Sequence, residues 1–532
     1  MRPLDWVVLA CWLVFLVSYG LYRGRGSNST DQFLLAGKTM PWYAMGLSIM
    51  ATQASAITFI STTAQAYVDG MRSVQFYFGL PLAMVILSAT AVPIFHRANV
   101  YTAYEYLEKR FDAKTRLLVT VIFLISRGLG AGIALSAPSI VLSVVLGWPY
   151  QTTVLLMGGL VAVYTTMGGI KAVTWADVQQ MMVILFALIL SLGIAISLLP
   201  SDVSFSDALT LAGAAGRLNA VTTTFDWNDR YNIWSGLIGG MFLALAYFGT
   251  DQSQVQRYLT GKSIGQSRLG LLFNAMAKVP MQFFILFIGA MVFVVFLFEK
   301  PPIVFNPAQM KRVAQTAEFP ALQQRYDAAF EQRQTAARAL IAAAPEAATE
   351  AKAQFRAAQK SLDSVRADAL GKTPDTNYIF LSFVTHYLPI GVVGLVVGVI
   401  FTAAMSAISG EINSLATVSV IDVYKRYVSR DATDRQYLGA SRILTAFWAI
   451  YAMAFASYAT NFGALIEAVN YVGSLFYGGM LGVFVLAFFF KKCTANAAFW
   501  GVIVGEIAIL ITAQFTGAFL WFNVIGYLVA VL

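Results

Sequence analysis

The sequence predicts an all-α membrane protein of about thirteen transmembrane helices, with a ten-helix core, one extra helix before it and two after it. Three observations predict this. Of 532 residues, 58% are hydrophobic and mean hydropathy is +0.67, a balance soluble chains do not carry. Only 12% are Asp, Glu, Lys or Arg, about half the share of a soluble domain. Apolar stretches of near twenty residues recur along the whole length, each long enough to cross a hydrocarbon core.

The spans run roughly over 5–22, 42–68, 74–96, 117–147, 150–167, 173–199, 233–250, 268–298, 389–421, 436–459, 463–489, 496–514 and 518–531. The first, from Asp5 to Tyr22, lacks a small-residue cleavage site and reads as a retained helix rather than a signal peptide. The second contains Ser48-Ile-Met-Ala-Thr-Gln-Ala-Ser-Ala-Ile-Thr-Phe59. Small and polar residues there predict an interruption that frees backbone carbonyls, or else tight helix packing. The loops between spans test the count. Alternate loops hold Arg23, Arg25 and Lys38; Arg97, Lys109, Arg110, Lys114 and Arg116; Lys171; Arg257, Lys262 and Arg268; Lys425, Arg426, Arg430 and Arg435; then Lys491 and Lys492. Thirteen spans put all of these on one side, so the N-terminus is expected outside and the C-terminus in the cytoplasm. The expected site is the plasma membrane, or the inner membrane of a Gram-negative cell. The net charge of +9 is therefore a topology signal and no sign of a nucleic-acid partner.

The stretch 42–199 holds five spans and 233–489 holds five more. Five is odd, so the second set enters the membrane inverted, the pattern of five-plus-five inverted-repeat transporters. The expected organisation is 1–41, an extra N-terminal helix and cytoplasmic loop; 42–199, the first repeat; 200–232, an extracytoplasmic loop; 233–300, two helices of the second repeat; 301–376, an insertion; 377–490, the rest of the second repeat; and 491–532, two C-terminal helices. In the insertion, Leu322, Tyr326, Phe330, Leu340, Phe355, Leu362 and Val365 recur at helical spacing, with Pro345 and Glu346 at a turn. It reads as a pair of extracytoplasmic amphipathic helices, a solvated spacer or lid, or else a partner-binding element.

Charges inside a bilayer are costly, so intramembrane ionisable residues are functional candidates. They are Arg127, Asp177, Lys278, Glu411 and Glu467. Arg127 is the best clue to substrate charge, because a guanidinium pairs with a carboxylate in two-pronged fashion. Facing a pocket, it implies an anionic or zwitterionic solute; the alternative is neutralisation by Asp177 or Glu411. In the ninth span, Ser406 and Ser409 are three residues apart and face nearly the same way, so they offer hydroxyls to a hard cation. Packing, or hydroxyls bonded to their own helix, is the other reading. His96 and His386 are too few for a histidine metal cluster, and Cys11 and Cys493 imply neither a disulfide nor a metal site. No nucleophile–base pair suggests an enzyme.

Four motifs then stand in order: Tyr101-Thr-Ala-Tyr-Glu-Tyr-Leu-Glu-Lys-Arg-Phe111, Gly168-Gly-Ile-Lys-Ala-Val-Thr-Trp-Ala-Asp177, Phe248-Gly-Thr-Asp-Gln-Ser-Gln-Val-Gln-Arg257, and Asn413-Ser-Leu-Ala-Thr closing with Asp422-Val-Tyr-Lys-Arg426. With them the chain resembles the sodium/solute symporter family over nearly its whole length outside 301–376. The resemblance implies sodium-coupled import of a small polar solute by alternating access across the lipid bilayer. It implies a sodium ion held by the carbonyls of Ala51, Ala54 and Ala403 and the hydroxyl of Ser406. The next family hydroxyl is replaced by Ala407, which removes one ligand. Asp177 matches a family aspartate on the exit path and could support a second sodium with Ser409; Glu411, about one turn beyond and not a typical family residue there, could share that role. Gln53, Ser55, Thr58, Tyr77, Arg127, Lys278 and Asn470 fall at solute-binding positions, and Tyr247 and Phe248 at the inner gate. Sugar-carrying members have a glutamine at Thr58 and a glutamate at Tyr77, so a sugar pocket of that design is not expected. Proton coupling through Asp177 or Glu411, and a transporter-like sensor, are the alternatives.

Overall fold

The computed structural model describes residues 1–24, 36–167, 170–371, 373–459 and 464–532. Arg25, Gly168 and Gly169 lie outside the described residues, as do the side chains of Arg23 and Lys171. The described chain is all helical, with one isolated bridge between Met40 and Gly261. Among the described residues, eight helices are long and apolar enough to cross a membrane, and a ninth span is added if one bent pair is counted together. Helices suit this composition because lipid offers no partner to backbone N–H and C=O groups, which a helix satisfies internally.

In chain order, α1 is Pro3–Gly24 and α2 is Trp42–Gln53. A π-helical turn at Thr58–Thr62 leads into α3, Thr63–Asp69. The pair α2 and α3 is bent by 62°. The bend sits where Ala54 leaves helical geometry (φ −89°, ψ 52°), within the small and polar stretch. A tight turn at Met71–Tyr77 precedes α4, Leu80–Ala89, and α5, Ala91–Ala98. Helix α6 is Ala103–Arg110, capped by the Thr102 hydroxyl. Helix α7, Ala113–Leu146, starts where Asp112 accepts from the Thr115 amide (2.8 Å). Then come α8, Tyr150–Met167; α9, Ile170–Ser197; and α10, Phe205–Ala214. Helix α11 is Gly240–Thr250, and Asp251 caps the short α12, Gln252–Leu259. Helix α13, Ile264–Phe298, begins at the Ser263 cap.

Helices α14 (Pro307–Val313), α15 (Phe319–Ala342) and α16 (Ala348–Leu370) follow, the last two joined by a turn at 345–347. Tyr326, Ala329 and Phe330 of α15 pack on Leu362, Val365 and Ala369 of α16, with Ile303 and Val304 beneath. Buried Arg333 ties this pair to the bundle by donating to the Phe296 carbonyl (2.5 Å). Arg356 donates to the Ala214 carbonyl at the end of α10 (2.8 Å). The remaining helices are α17 (Ile379–Tyr387), α18 (Val392–Val418), α19 (Asp434–Ala459), α20 (Leu465–Phe489), α21 (Ala495–Phe515) and α22 (Leu520–Val531).

Burial separates an inner layer from an outer one. The apolar windows of α13 and α18 are 83% buried inside the protein, against 22% for α19 and α21. The outer helices keep Ile443, Ile450 and Phe515 exposed, side chains suited to lipid. Close contacts hold the inner layer. A Cβ on Gly289 of α13 would lie 2.0 Å from the Thr63 carbonyl, so only glycine lets α13 approach α3 this closely. Helix α1 docks on α18 through Asp5, whose carboxylate accepts from the amides of Gly391 (2.6 Å) and Gly394 (3.3 Å). A carboxylate at those unpaired N–H groups also complements the positive end of the helix dipole.

Candidate functional site

The bend between α2 and α3 opens onto a cavity with about 910 Å³ of empty space, its open mouth included. Helices far apart in sequence wall it. Gln53, Ser55 and Thr58 come from the bend and Tyr77 from the turn after it. Arg127 comes from α7, Tyr247 and Phe248 from α11, Lys278 from α13 and Asn470 from α20. All nine expected solute and gate positions therefore line one cavity. Ala407 and Glu411 of α18 line it too. Several of the polar groups are already bonded locally: the Thr58 hydroxyl donates to the Gln53 carbonyl (2.7 Å), and the Asn470 amide to the Ile466 carbonyl (2.8 Å). Gln53 donates to the Ile49 carbonyl (3.2 Å) and to the Asn274 side chain (3.4 Å).

Arg127 is 4% exposed and engaged on both forks. One nitrogen donates to Glu411 Oε1 (3.1 Å); the other donates to Asp251 and to the Tyr477 hydroxyl (2.7 Å). The guanidinium also lies 5.3 Å from the Tyr247 ring centroid, a cation–π contact. Asp251 is held in turn by the amide (2.9 Å) and hydroxyl (2.7 Å) of Ser253. The cluster thus contains one cation and two carboxylates, and Arg127 is neutralised by Glu411 and Asp251 rather than by Asp177. Lys278 differs. It is 1% exposed, its ammonium has no hydrogen-bond partner among the described residues, and it sits 5.8 Å from the Tyr77 ring centroid.

A second buried cluster lies off the cavity. Asp177 of α9 accepts from Arg257 (2.8 Å), from the Ser48 hydroxyl (2.5 Å) and from the Ser406 hydroxyl. Arg257 also donates to the Ser48 hydroxyl (2.5 Å). Charges so deeply buried persist only when paired and hydrogen-bonded, as these are. Ala51, Ala54, Ala403 and Ser409 are buried residues of α2, the bend and α18, and none lines the cavity. The residue types suit a hard cation, since hydroxyls and backbone carbonyls offer oxygen and Ala54 leaves helical geometry. Ser406 spends its proton on Asp177, which leaves its oxygen lone pairs as acceptors.

Sequence reasoning missed Asp251, Tyr477, Arg257 and Ser48 as members of these clusters. The signal for two of them was the third motif, Phe248–Arg257, whose Asp251 reaches Arg127 and whose Arg257 reaches Asp177. Other motifs meet as well. Thr102 donates to Asp422 (3.0 Å), and Arg116 bridges Asp422 (2.5 Å) and Glu108 (2.7 Å). Gln252 accepts from the Ala103 amide (2.9 Å).

Glu467, at the start of α20, belongs to a separate polar recess with Gln65, Asp69, Arg72, Asp229 and Arg230. It accepts from Arg230 (2.7 Å), the Tyr231 hydroxyl (3.1 Å) and Gln65 (3.2 Å). Its neighbour in the recess, Arg72, grips both oxygens of Asp229 (3.0 and 2.9 Å).

With a 0.77 TM-score, the whole chain superposes on 96% of a substrate-bound, outward-open Na+-coupled sialic acid symporter, at 24% sequence identity. Among curated proteins, it is 26% identical to the sodium/glucose cotransporter of Vibrio parahaemolyticus, over 94% of this chain and 83% of that one. It is 26% identical to the sodium/sialic acid symporter NanT of Aliivibrio fischeri, over 99% and 92%. It is 28% identical to human sodium-coupled monocarboxylate transporter 1, over 94% and 72%. The sodium:solute symporter family matches residues 33–326 and 360–505, most of the chain, and the protein belongs to that family.

Proposed function

We propose that this protein is a sodium-coupled symporter that imports a small polar organic solute by alternating access. The observation that carries the reading is the cavity at the α2–α3 bend, walled by polar side chains from helices widely separated in sequence. Membership of the family and the relatives' sodium-coupled activities support it. Sodium binds to the carbonyls of Ala51, Ala54 and Ala403 and the hydroxyl of Ser406. Asp177, with Ser409, lies on its way out. Solute binds among Gln53, Ser55, Thr58, Tyr77, Lys278 and Asn470, with Tyr247 and Phe248 closing beneath it. Each sodium ion entering down a membrane potential releases about 2.3 kcal/mol per 100 mV, enough with its gradient to concentrate a solute many-fold.

The same reading gives thirteen spans. It takes the eight long helices, the bent pair and the four shorter apolar helices Pro3–Phe15, Tyr150–Val163, Ser235–Thr250 and Leu520–Val531 as one span each. With the loop cations cytoplasmic, the N-terminus lies outside and the α15–α16 pair is extracytoplasmic. The middle ten spans form two inverted sets of five.

The test is thermal stability of the purified protein against a solute panel, in sodium and in matched potassium. A ligand that stabilises only with sodium is the expected result. A bound ligand indifferent to sodium would overturn the reading.

A further inference from the structure

The charges around the cavity do not cancel locally, and their arrangement is bipolar. On the α7–α18 side, one guanidinium faces two carboxylates, which leaves one formal negative charge over. The surplus has an address: Glu411 is 7% exposed, Arg127 occupies its Oε1, and its Oε2 is buried with no hydrogen-bond partner among the described residues. On the α13 side stands one ammonium without a counter-ion. No carboxylate lies within 4 Å of Lys278 among the described residues. Asn274 and Gln282, one turn before and one turn after Lys278, share its face. Both are fully buried and neither lines the cavity, so on this side the wall presents the Lys278 ammonium. Buried groups left unsatisfied are costly and are rare where nothing completes them.

We propose, resting on the symport reading above, that the solute is a zwitterion of the amino-acid class, its carboxylate held by Lys278 and its ammonium by Oε2 of Glu411. The carboxylate accepts from the Lys278 ammonium. The ammonium donates to Glu411, whose other oxygen stays on Arg127. A monocarboxylate answers Lys278 and leaves Glu411 unmet; a neutral sugar answers neither charge. Arg127, already committed to two carboxylates and Tyr477, positions Glu411 and does not itself receive the solute carboxylate.

The experiment uses the purified full chain in detergent with sodium, monitored by thermal shift and calorimetric titration. The probes are the twenty free α-amino acids, pyruvate, lactate and glucose, followed by the N-acetyl and amide forms of the best amino acid. At least one free amino acid should stabilise the protein in sodium, with the N-acetyl and amide forms each binding at least tenfold more weakly. Glu411→Gln, which keeps the shape and one acceptor for Arg127, should weaken the free amino acid at least tenfold. It should leave the affinity for its N-acetyl form within about twofold. Lys278→Met should weaken the free amino acid and its N-acetyl form alike. The blocked ligands are read on the unaltered protein, so the result survives a variant that does not fold. A monocarboxylate or glucose stabilising in sodium while no amino acid does would overturn the zwitterion proposal and leave symport standing. Equal binding of the free and N-acetyl forms would overturn it too. Ligand binding that ignores sodium would overturn the symport reading, and no stabilisation by any probe would overturn the proposal.

Discussion

Replacing Arg257 with Gln keeps a side chain of similar reach but leaves the Asp177 carboxylate buried with only the Ser48 and Ser406 hydroxyls as donors. Both partners of the pair are almost wholly inaccessible, 2% and 0% exposed, so solvent cannot take the place of the lost charge. Breaking such a pair from one side costs about 3–5 kcal/mol, mostly the penalty on the stranded ion. For 532 residues an unfolding entropy of about 2.1 cal/mol/K per residue gives roughly 1.1 kcal/mol/K, so the melting temperature should fall by about 3–5 °C. Asp177→Asn strands the guanidinium and should cost a similar amount. The double variant Asp177→Asn/Arg257→Gln removes both charges, and most of the loss should return. The assay is intrinsic-fluorescence melting in detergent on the four proteins side by side. Melting temperatures that add, with the double variant losing the sum of the two singles, would show that the two charges do not depend on each other.

Four further outcomes follow from the geometry. Gly289→Ala should lower the melting temperature by overpacking worth about 1–3 kcal/mol, since its Cβ would sit 2.0 Å from the Thr63 carbonyl. Gly193→Ala, whose Cβ meets nothing within 4 Å, should be neutral or stabilising in the same melting assay. Asp5→Ala strips the amides of Gly391 and Gly394 of their acceptor and should cost about 1–2 kcal/mol, whereas Asp5→Asn should recover much of that. Ala407→Ser restores a hydroxyl one residue from Ser406. The sodium concentration giving half-maximal ligand-dependent stabilisation should drop, and an unchanged sodium titration would count against the ion's placement there.

What the sequence makes legible here is what depends on local physics. Long apolar runs declare helices, and the interruption at Ala54 and Ser55 is visible because small and polar residues break an otherwise continuous run. An arginine in the middle of α7 announces that something must neutralise it. Which group does so is another matter. Glu411 and Asp251 lie 284 and 124 residues away in the chain, and only the packing of α7, α12 and α18 decides that they arrive together. Asp251 reads locally as a cap for α12, a role it also fills through Ser253, so nothing in its neighbourhood betrays a second function. Tyr477 sits among glycines in an apolar helix and looks like packing until its hydroxyl is placed on Arg127. The pairing of Asp177 with Arg257 joins two of the motifs, and a reader who asks which charged motif residues lack a local partner has the means to suspect it.

The polar recess near α20 bears on how far the protein can open there. Asp229 and Arg230 are consecutive, yet they hold on in opposite directions, one to Arg72 after α3 and the other to Glu467 on α20. Successive Cα atoms are about 3.8 Å apart and cannot stretch. Besides the direct Gln65–Glu467 hydrogen bond, the two sides of the recess are therefore leashed through this one peptide unit. Once the slack in four side chains is used up, further separation has to release one grip, and the remaining ion pair then decides which wall carries the loop away with it.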